Sequence, residues 1–361
     1  MAFKSLAFLV AIASVSQFTR VLGTPVKTAC PNSKHSAFNA ACCSWFDVLD
    51  DLQANLFDDA DCGEDAHSAL RIAFHDAIGF STKGGKGGGA DGSMIFFGDE
   101  ELAFDANNGL DEIAGGLQPL ADAHGKTYGD IIQFSAAVAV ANCAGSTRLQ
   151  FLAGRPNATV HTPDGTLPNP FDNVDTILAR MADAGFSPDE LIALLASHTI
   201  AAADKVDVTI PGTPFDSTPA VFDTQIFIEV LLNAIHTPGA GLQKGEVKAP
   251  LAGLMRLQSD FALARDSRTA CTWQSFVNNP KSMNTKFAAA MAKLAVLGQN
   301  VKHLTDCSEV IPTPAANHVP PFLPAGKHQS DIAPACAATP FPSLPIQPGP
   351  QQSIAPVPPA S

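Results

Sequence analysis

The chain of 361 residues is long enough for one large domain or two ordinary ones, and with 46% hydrophobic residues it can bury a sizeable core, which excludes disorder over most of its length. Lysine and arginine number 22 against 35 acids, a net charge of −13 with no compensating basic run, so neither a nucleic acid nor an anionic membrane surface is an expected partner. Aromatic usage is lopsided, with 23 Phe against two Trp (Trp45 and Trp273) and one Tyr, Tyr128.

Residues 1–28 read as a secretory signal peptide with a short pro-segment. Lys4 precedes the apolar stretch Leu6–Ala13, small residues follow, and Arg20 stands where a pro-segment would end. That stretch is too short to span a bilayer and no later apolar run is long enough, so a secreted, extracellular chain is expected. The sequon Asn157-Ala-Thr159 agrees with that compartment and predicts a glycoprotein. The eight cysteines, at 30, 42, 43, 62, 143, 271, 307 and 336, then read as four disulfides. Spacing does not choose the pairing, except that the adjacent Cys42 and Cys43 need different partners. No CxxC occurs, so a zinc site is not expected.

Apolar residues at helical spacing predict helices over 42–57, 62–77, 129–142, 173–184, 187–203, 222–235, 255–263 and 284–297, and strand-like alternation is nearly absent: an all-α fold. Ser187-Pro188-Asp189-Glu190 is a helix start, with an N-cap, proline at the first helical position and acids in the first turn. After residue 311 the composition changes: 14 of the 28 prolines lie in 312–361, which predicts an extended tail packed on the surface and pinned at Cys336. With no repeat and no linker, residues 29–311 read as one catalytic unit of two halves.

Within that unit, Glu64, Ser68, Arg71 and His75 follow one another at helical spacing and share one stripe of a helix. A second histidine, His198, closes the apolar run Leu191–Ser197, where a neutral imidazole is available to a metal. Around these residues stand Arg71-x-x-Phe74-His75-Asp76, Gly87-Gly-Gly-Ala-Asp-Gly-Ser93, Gly109-Leu-Asp-Glu-Ile113, Ala196-Ser-His198 and Pro214-Phe-Asp-Ser-Thr-Pro219. In this order they resemble the secreted fungal class II haem peroxidases, the group of the lignin, manganese and versatile peroxidases. The resemblance runs from about Cys30 to the C-terminus.

The resemblance implies a peroxidase fold in which two helical halves sandwich haem b. His198 would be the axial iron ligand, with Asp260 on its other ring nitrogen and Phe215 packed beneath the ring. His75 would be the general base toward hydrogen peroxide, Arg71 the cation stabilising the charge that develops, and Phe74 a wall of the pocket. Asn107 would orient His75, with Glu101 behind it. Two calcium ions are implied, one at Asp76, Gly89, Asp91 and Ser93, the other at Thr199, Asp216, Thr218, Val221 and Asp223, all oxygen donors of the kind a hard cation needs. The implied disulfides are Cys30–Cys43, Cys42–Cys307, Cys62–Cys143 and Cys271–Cys336.

For the reducing substrate, manganese-oxidising members use two Glu on the distal helix and one Asp after the proximal histidine. Those positions here are Glu64, Ser68 and Asp204, so an atypical Mn(II) site with Ser68 in place of one carboxylate is expected. Its product would be Mn(III), taken up by organic-acid chelators. The surface tryptophan that lignin and versatile peroxidases carry five residues before the proximal histidine is Ala193 here, which speaks against oxidation of non-phenolic aromatics by that route. Phenolic compounds would react at the haem edge. The competing expectation is a generic peroxidase of phenols and dyes without useful Mn(II) activity. A monomer is expected.

Overall fold

The computed structural model describes residues 26–31 and 33–360; the predicted signal peptide falls almost wholly on residues 1–25, outside the described residues. Among the described residues twelve α-helices follow in chain order. In the first half these are α1 (Ser44–Asn55), α2 (Glu64–Ile78), α3 (Ser93–Phe96), α4 (Gly98–Glu101), α5 (Asp111–His124) and α6 (Tyr128–Asn142). The second half holds α7 (Val174–Asp183), α8 (Pro188–Leu194), α9 (Gln225–Glu229), α10 (Gln258–Leu263), α11 (Ala270–Phe276) and α12 (Pro280–Leu294). Strand pairing in these residues amounts to four antiparallel ladders of two residues a side and a few isolated bridges.

α6 is apolar around almost its whole circumference and is buried from Gly129 to Ala141, the mark of a central helix rather than an amphipathic surface one. α2 packs along it, and Gln133 on α6 donates to the Ala73 carbonyl of α2 at 3.3 Å. α5 and α1 complete this half, while in the other α7, α11 and α12 gather around α8 and α9 packs on α11 and on the turn that follows α8. At the start of α8, the predicted cap is a full capping box: Ser187 Oγ accepts from the Glu190 N–H and the Glu190 carboxylate accepts from the Ser187 N–H.

Several expected boundaries shift, each for a non-local reason. The helix expected over 187–203 ends at Leu194 and tightens into a 3-10 turn over Leu195–Ile200. Beyond it Ala202–Ala203 pair with Thr213–Pro214 instead of continuing the helix. The helix expected over 222–235 covers only Gln225–Glu229. Its downstream carbonyls, Val230 and Leu232, accept from the Arg256 guanidinium at 3.1 and 2.9 Å, so side chains rather than a further turn satisfy them. Within 255–263, Arg256–Leu257 pair with Glu246–Val247 before α10 begins.

α5 is a helix that the spacing analysis does not predict, because Gly115, Gly116 and Pro119 read as breakers. It forms because Ile113, Ala114, Leu117, Leu120 and Ala121 are buried against α6, α2 and α1, and that burial outweighs the propensity cost. α11, likewise unpredicted, buries Trp273 and Phe276.

All four implied disulfides are present: Cys30–Cys43, Cys42–Cys307, Cys62–Cys143 and Cys271–Cys336. The last ties α11 to the proline-rich tail, which lies extended on the second half. A buried ion pair adds a cross-link invisible in the sequence pattern. Arg155 Nη1 donates to Asp130 Oδ1 at 2.8 Å, and Asp130 also accepts from the backbone N–H groups of Gly154 and Arg155. Removing one partner leaves a charge uncompensated in the core. Asp130→Ala is therefore expected to lower unfolding stability by about 3 to 5 kcal/mol in a denaturant titration; a loss under about 1 kcal/mol would show the pair to be dispensable.

Candidate active site

Between the two halves lies a cavity of about 800 Å3. Its walls include Leu70, Phe74, Leu191, Leu194, Leu263 and Met291, and its polar side chains come from opposite sides. Arg71 and His75 enter from α2 because they share the stripe that α6 does not cover. His198 enters from the 3-10 turn after α8, with Phe215 beside it at 5.4 Å between ring centroids. Glu64, Ser68 and Asp204 line one rim of the same cavity.

Each histidine has its Nδ1 occupied by the protein. Asn107 Nδ2 donates to the Glu101 carbonyl at 2.8 Å, which fixes the amide so that its Oδ1 faces His75 Nδ1 at 2.9 Å. That oxygen can only accept, so His75 Nδ1 carries the proton and Nε2 keeps its lone pair. Burial, reinforced by the Arg71 charge, holds the His75 pKa down to about 3, so the imidazole is neutral. Glu101 stands behind Asn107 through its backbone carbonyl; its carboxylate turns away to accept from the Thr162 N–H at 2.7 Å. On the other side Asp260 Oδ2 accepts from His198 Nδ1 at 2.8 Å. Burial is the largest influence and lowers the basicity of His198, but the charge of Asp260 and its hydrogen bond together outweigh it and the net shift is upward. Arg71 donates to the carbonyls of Ala106 and Asn108 at 3.2 Å. Burial lowers its pKa to about 10, which leaves the guanidinium charged.

The cavity suits a haem. Its volume lies within the range of cofactor sites, about 300 to 1,000 Å3, its walls are largely apolar, and an imidazole with Nδ1 already bound to a carboxylate offers Nε2 as an axial ligand. An arginine and a neutral imidazole share the opposite side.

The two expected calcium sets are also brought together. Asp76 is fully buried, accepting from the N–H groups of Gly92 and Met94 at 3.0 and 3.3 Å, and Asp91 accepts from the Ser93 N–H at 3.2 Å. Gly88 cradles this set, since a Cβ there would lie 2.0 Å from Asp91 Oδ2. In the second set Thr199 Oγ1 donates to Asp216 Oδ2 at 2.5 Å, and Thr218 Oγ1 lies 3.2 Å from Asp216 Oδ1 and 3.1 Å from Asp223 Oδ1. Burial, then the neighbouring carboxylate, raises Asp76 and Asp216 well above the carboxylate range, and burial raises Asp91 and Asp223 to about 6. Paired buried acids of this kind fit a hard cation that neutralises both. Among the described residues no three His, Cys, Asp or Glu form a metal-holding group, so each set relies on hydroxyl and carbonyl oxygens beside its two acids. Glu229, beside the second set, escapes the sequence reading. It is buried, raised to about 7 by that burial, and held by Ser217 and Gln225. Nothing local in the sequence marks it.

At the rim, Ser68 Oγ donates to Glu64 Oε1 at 3.1 Å and the Gly212 N–H donates to Asp204 Oδ1 at 2.7 Å. Burial first and the Asp204 charge second raise Glu64 to about 7, so the two acids feel one another across the rim. Ala193 is buried in α8, as are Trp45 and Trp273 in the core. Tyr128 is half-buried, its hydroxyl donating to Asp122.

The peroxidase family matches residues 48–279, and the fungal peroxidase extension region matches residues 282–359. Among curated proteins the chain is 54% identical to manganese peroxidase 3 of Phlebia radiata, with 100% of each chain covered. It is 52% identical to versatile peroxidase VPS1 of Pleurotus eryngii, covering 97% of this chain and 100% of the relative. Identity to ligninase H2 of Phanerodontia chrysosporium is 50%, over 99% of each.

The raised acids set the sign of a pH dependence. With folded-state values near 6 against an ordinary 3.8, Asp91 and Asp223 bind more protons in the cation-free folded chain than in the unfolded one within that window. Their contribution to stability is present below it and lost as pH rises through about 6. The chelator-treated protein should therefore melt at a lower temperature as pH rises across this window, and excess calcium should abolish the fall. Thermal unfolding with chelator and with calcium checks this; a chelated protein that gains stability with pH would contradict it.

Proposed function

The chain belongs to the peroxidase family, in the group that carries the fungal extension region, and is a haem peroxidase; from this premise we propose that it reduces hydrogen peroxide and oxidises Mn(II), and phenols beside it, outside the cell. The observation that supports the reading best is the pair of imidazoles facing one cavity from opposite sides, each with Nδ1 bound. His198 would hold haem iron and Phe215 pack beneath the ring. When bound, the haem supplies the two electrons that reduce peroxide and recovers them singly from the reducing substrate. His75 Nε2 takes a proton from one peroxide oxygen and delivers it to the other, which leaves as water. Asn107 keeps that lone pair aimed, Arg71 stabilises the negative charge on the departing oxygen, and Phe74 closes the wall. The two carboxylate sets would hold calcium: Asp76, Gly89, Asp91 and Ser93 beside His75, and Thr199, Asp216, Thr218, Val221 and Asp223 beside His198.

Mn(II) is read as the reducing ion because Glu64 and Asp204 converge at one rim of the cavity, with hard oxygens suited to it. Ser68, where a third carboxylate would stand, keeps the site but weakens it. Organic-acid chelators would carry away Mn(III). Phenolic compounds would react at the haem edge, while the buried tryptophans and Ala193 leave no surface indole for non-phenolic aromatics. Four disulfides and the leader pattern support secretion. No described helix is long and apolar enough to cross a membrane.

Two measurements test this. In steady-state assays with peroxide, Asp204→Ala should raise the KM for Mn(II) about tenfold or more while phenol oxidation persists, and Ser68→Glu should lower that KM. No Mn(II) oxidation at millimolar Mn(II) would leave a phenol peroxidase without a manganese role. For the peroxide half-reaction, Asn107→Ala should slow the Soret change on mixing ferric enzyme with peroxide by about 10- to 100-fold; an unchanged rate would remove Asn107 from the mechanism.

A further inference from the structure

The proline-rich tail ends on the loop that carries Asp204. From Cys336, bonded to Cys271 on α11, the tail returns over the second half. Pro345 accepts from the Leu323 N–H, Gln347 donates back to Leu323, Ile354 donates to Ala252, and Val357 donates to the Gly212 carbonyl at 2.8 Å. Within Pro356-Val357-Pro358-Pro359, Val357 alone has an N–H, so this bond is the only backbone hydrogen bond the segment can donate. The Val357 side chain is itself buried.

Gly212 is engaged at both of its peptide groups. Its carbonyl accepts from Val357, and its N–H donates to Asp204 Oδ1 at 2.7 Å. It sits at φ +73°, and a Cβ there would lie 2.4 Å from the Val357 carbonyl oxygen, so only glycine lets tail and loop meet this closely. The base of the loop is closed by the pairing of Ala202–Ala203 with Thr213–Pro214. Inside it, Asp207 Oδ1 accepts from the Thr209 N–H at 2.9 Å. Gly212, directly before Thr213 at the base of the loop and opposite Asp204, is where the tail bears.

We propose that the C-terminal end is a strap for the Mn(II) site: Val357, through Gly212, is a positioning residue that holds the Asp204 carboxylate in the orientation facing Glu64. The inference rests on the reading of Glu64 and Asp204 as the Mn(II) ligands. A carboxylate with one oxygen already fixed loses less rotational freedom when it takes up a cation. That saving matters more in this chain than in a three-carboxylate site, because Ser68 supplies no charge and each remaining acid carries a larger share of the binding.

The test uses full-length haem-loaded enzyme and three variants: truncation after Ala355, Val357→Pro, which removes the N–H while keeping an extended backbone, and Val357→Ala, which keeps the N–H. Steady-state KM and kcat are measured for Mn(II) and for a simple phenol. The strap predicts that truncation and Val357→Pro raise the Mn(II) KM about fivefold, the factor for one hydrogen bond, with kcat for Mn(II) and all phenol parameters little changed. Val357→Ala stays near the parent. If the truncated chain fails to fold, the Val357 pair still decides. An unchanged Mn(II) KM in Val357→Pro, with Asp204→Ala still crippling Mn(II) oxidation, overturns the strap and leaves the manganese site standing. Equal losses toward Mn(II) and phenol overturn it as well, since general loosening moves both. Mn(II) oxidation indifferent to Asp204→Ala overturns the site and the strap with it.

Discussion

A neutral imidazole has one donor and one acceptor nitrogen, and the protein around this cavity is arranged so that both histidines surrender the donor to a neighbour and keep the acceptor for the interior. Asn107 takes His75 Nδ1 and Asp260 takes His198 Nδ1. The difference between the two partners sets the difference in chemistry. A neutral amide leaves His75 weakly basic, its pKa held down to about 3 by burial and by Arg71, whereas a buried carboxylate pushes electron density onto His198. One ring therefore suits proton transfer to a neutral oxidant, and the other suits a metal whose higher oxidation states need stabilising.

Keeping two rings in register across a gap demands rigid backbone on both sides, and the chain meets this demand in the same way twice. Asp76 follows His75 directly and Thr199 follows His198 directly. Each belongs to a set of buried acids and hydroxyls that bridges the helix end to a glycine- or proline-containing loop. Like charges buried side by side destabilise the empty fold, so on the proposed reading a bound calcium ion would offset that cost and clamp the two segments together. The disulfide Cys62–Cys143 and the ion pair Arg155–Asp130 brace α6, against which α2 is packed. At the rim, Glu64 accepts from Ser68, and Asp204 accepts from the N–H of Gly212, whose carbonyl takes the Val357 N–H of the tail.

What the chain determines by itself is everything set by local periodicity and local chemistry. The 3.6-residue repeat alone places Glu64, Ser68, Arg71 and His75 on one stripe, the Ser187 start predicts the α8 cap, and proline content predicts an extended tail. The pairing of the cysteines and the partners of the histidines came from resemblance, because no spacing rule joins residues 42 and 307 or 198 and 260. Only the tertiary structure decides the existence of α5 despite its glycines and proline, the early end of α9 under Arg256, the burial of Glu229, and the contact of Val357 with Gly212. Each of these depends on a partner far away in the chain, and the free energy of such a contact is defined only once folding has brought the two segments together.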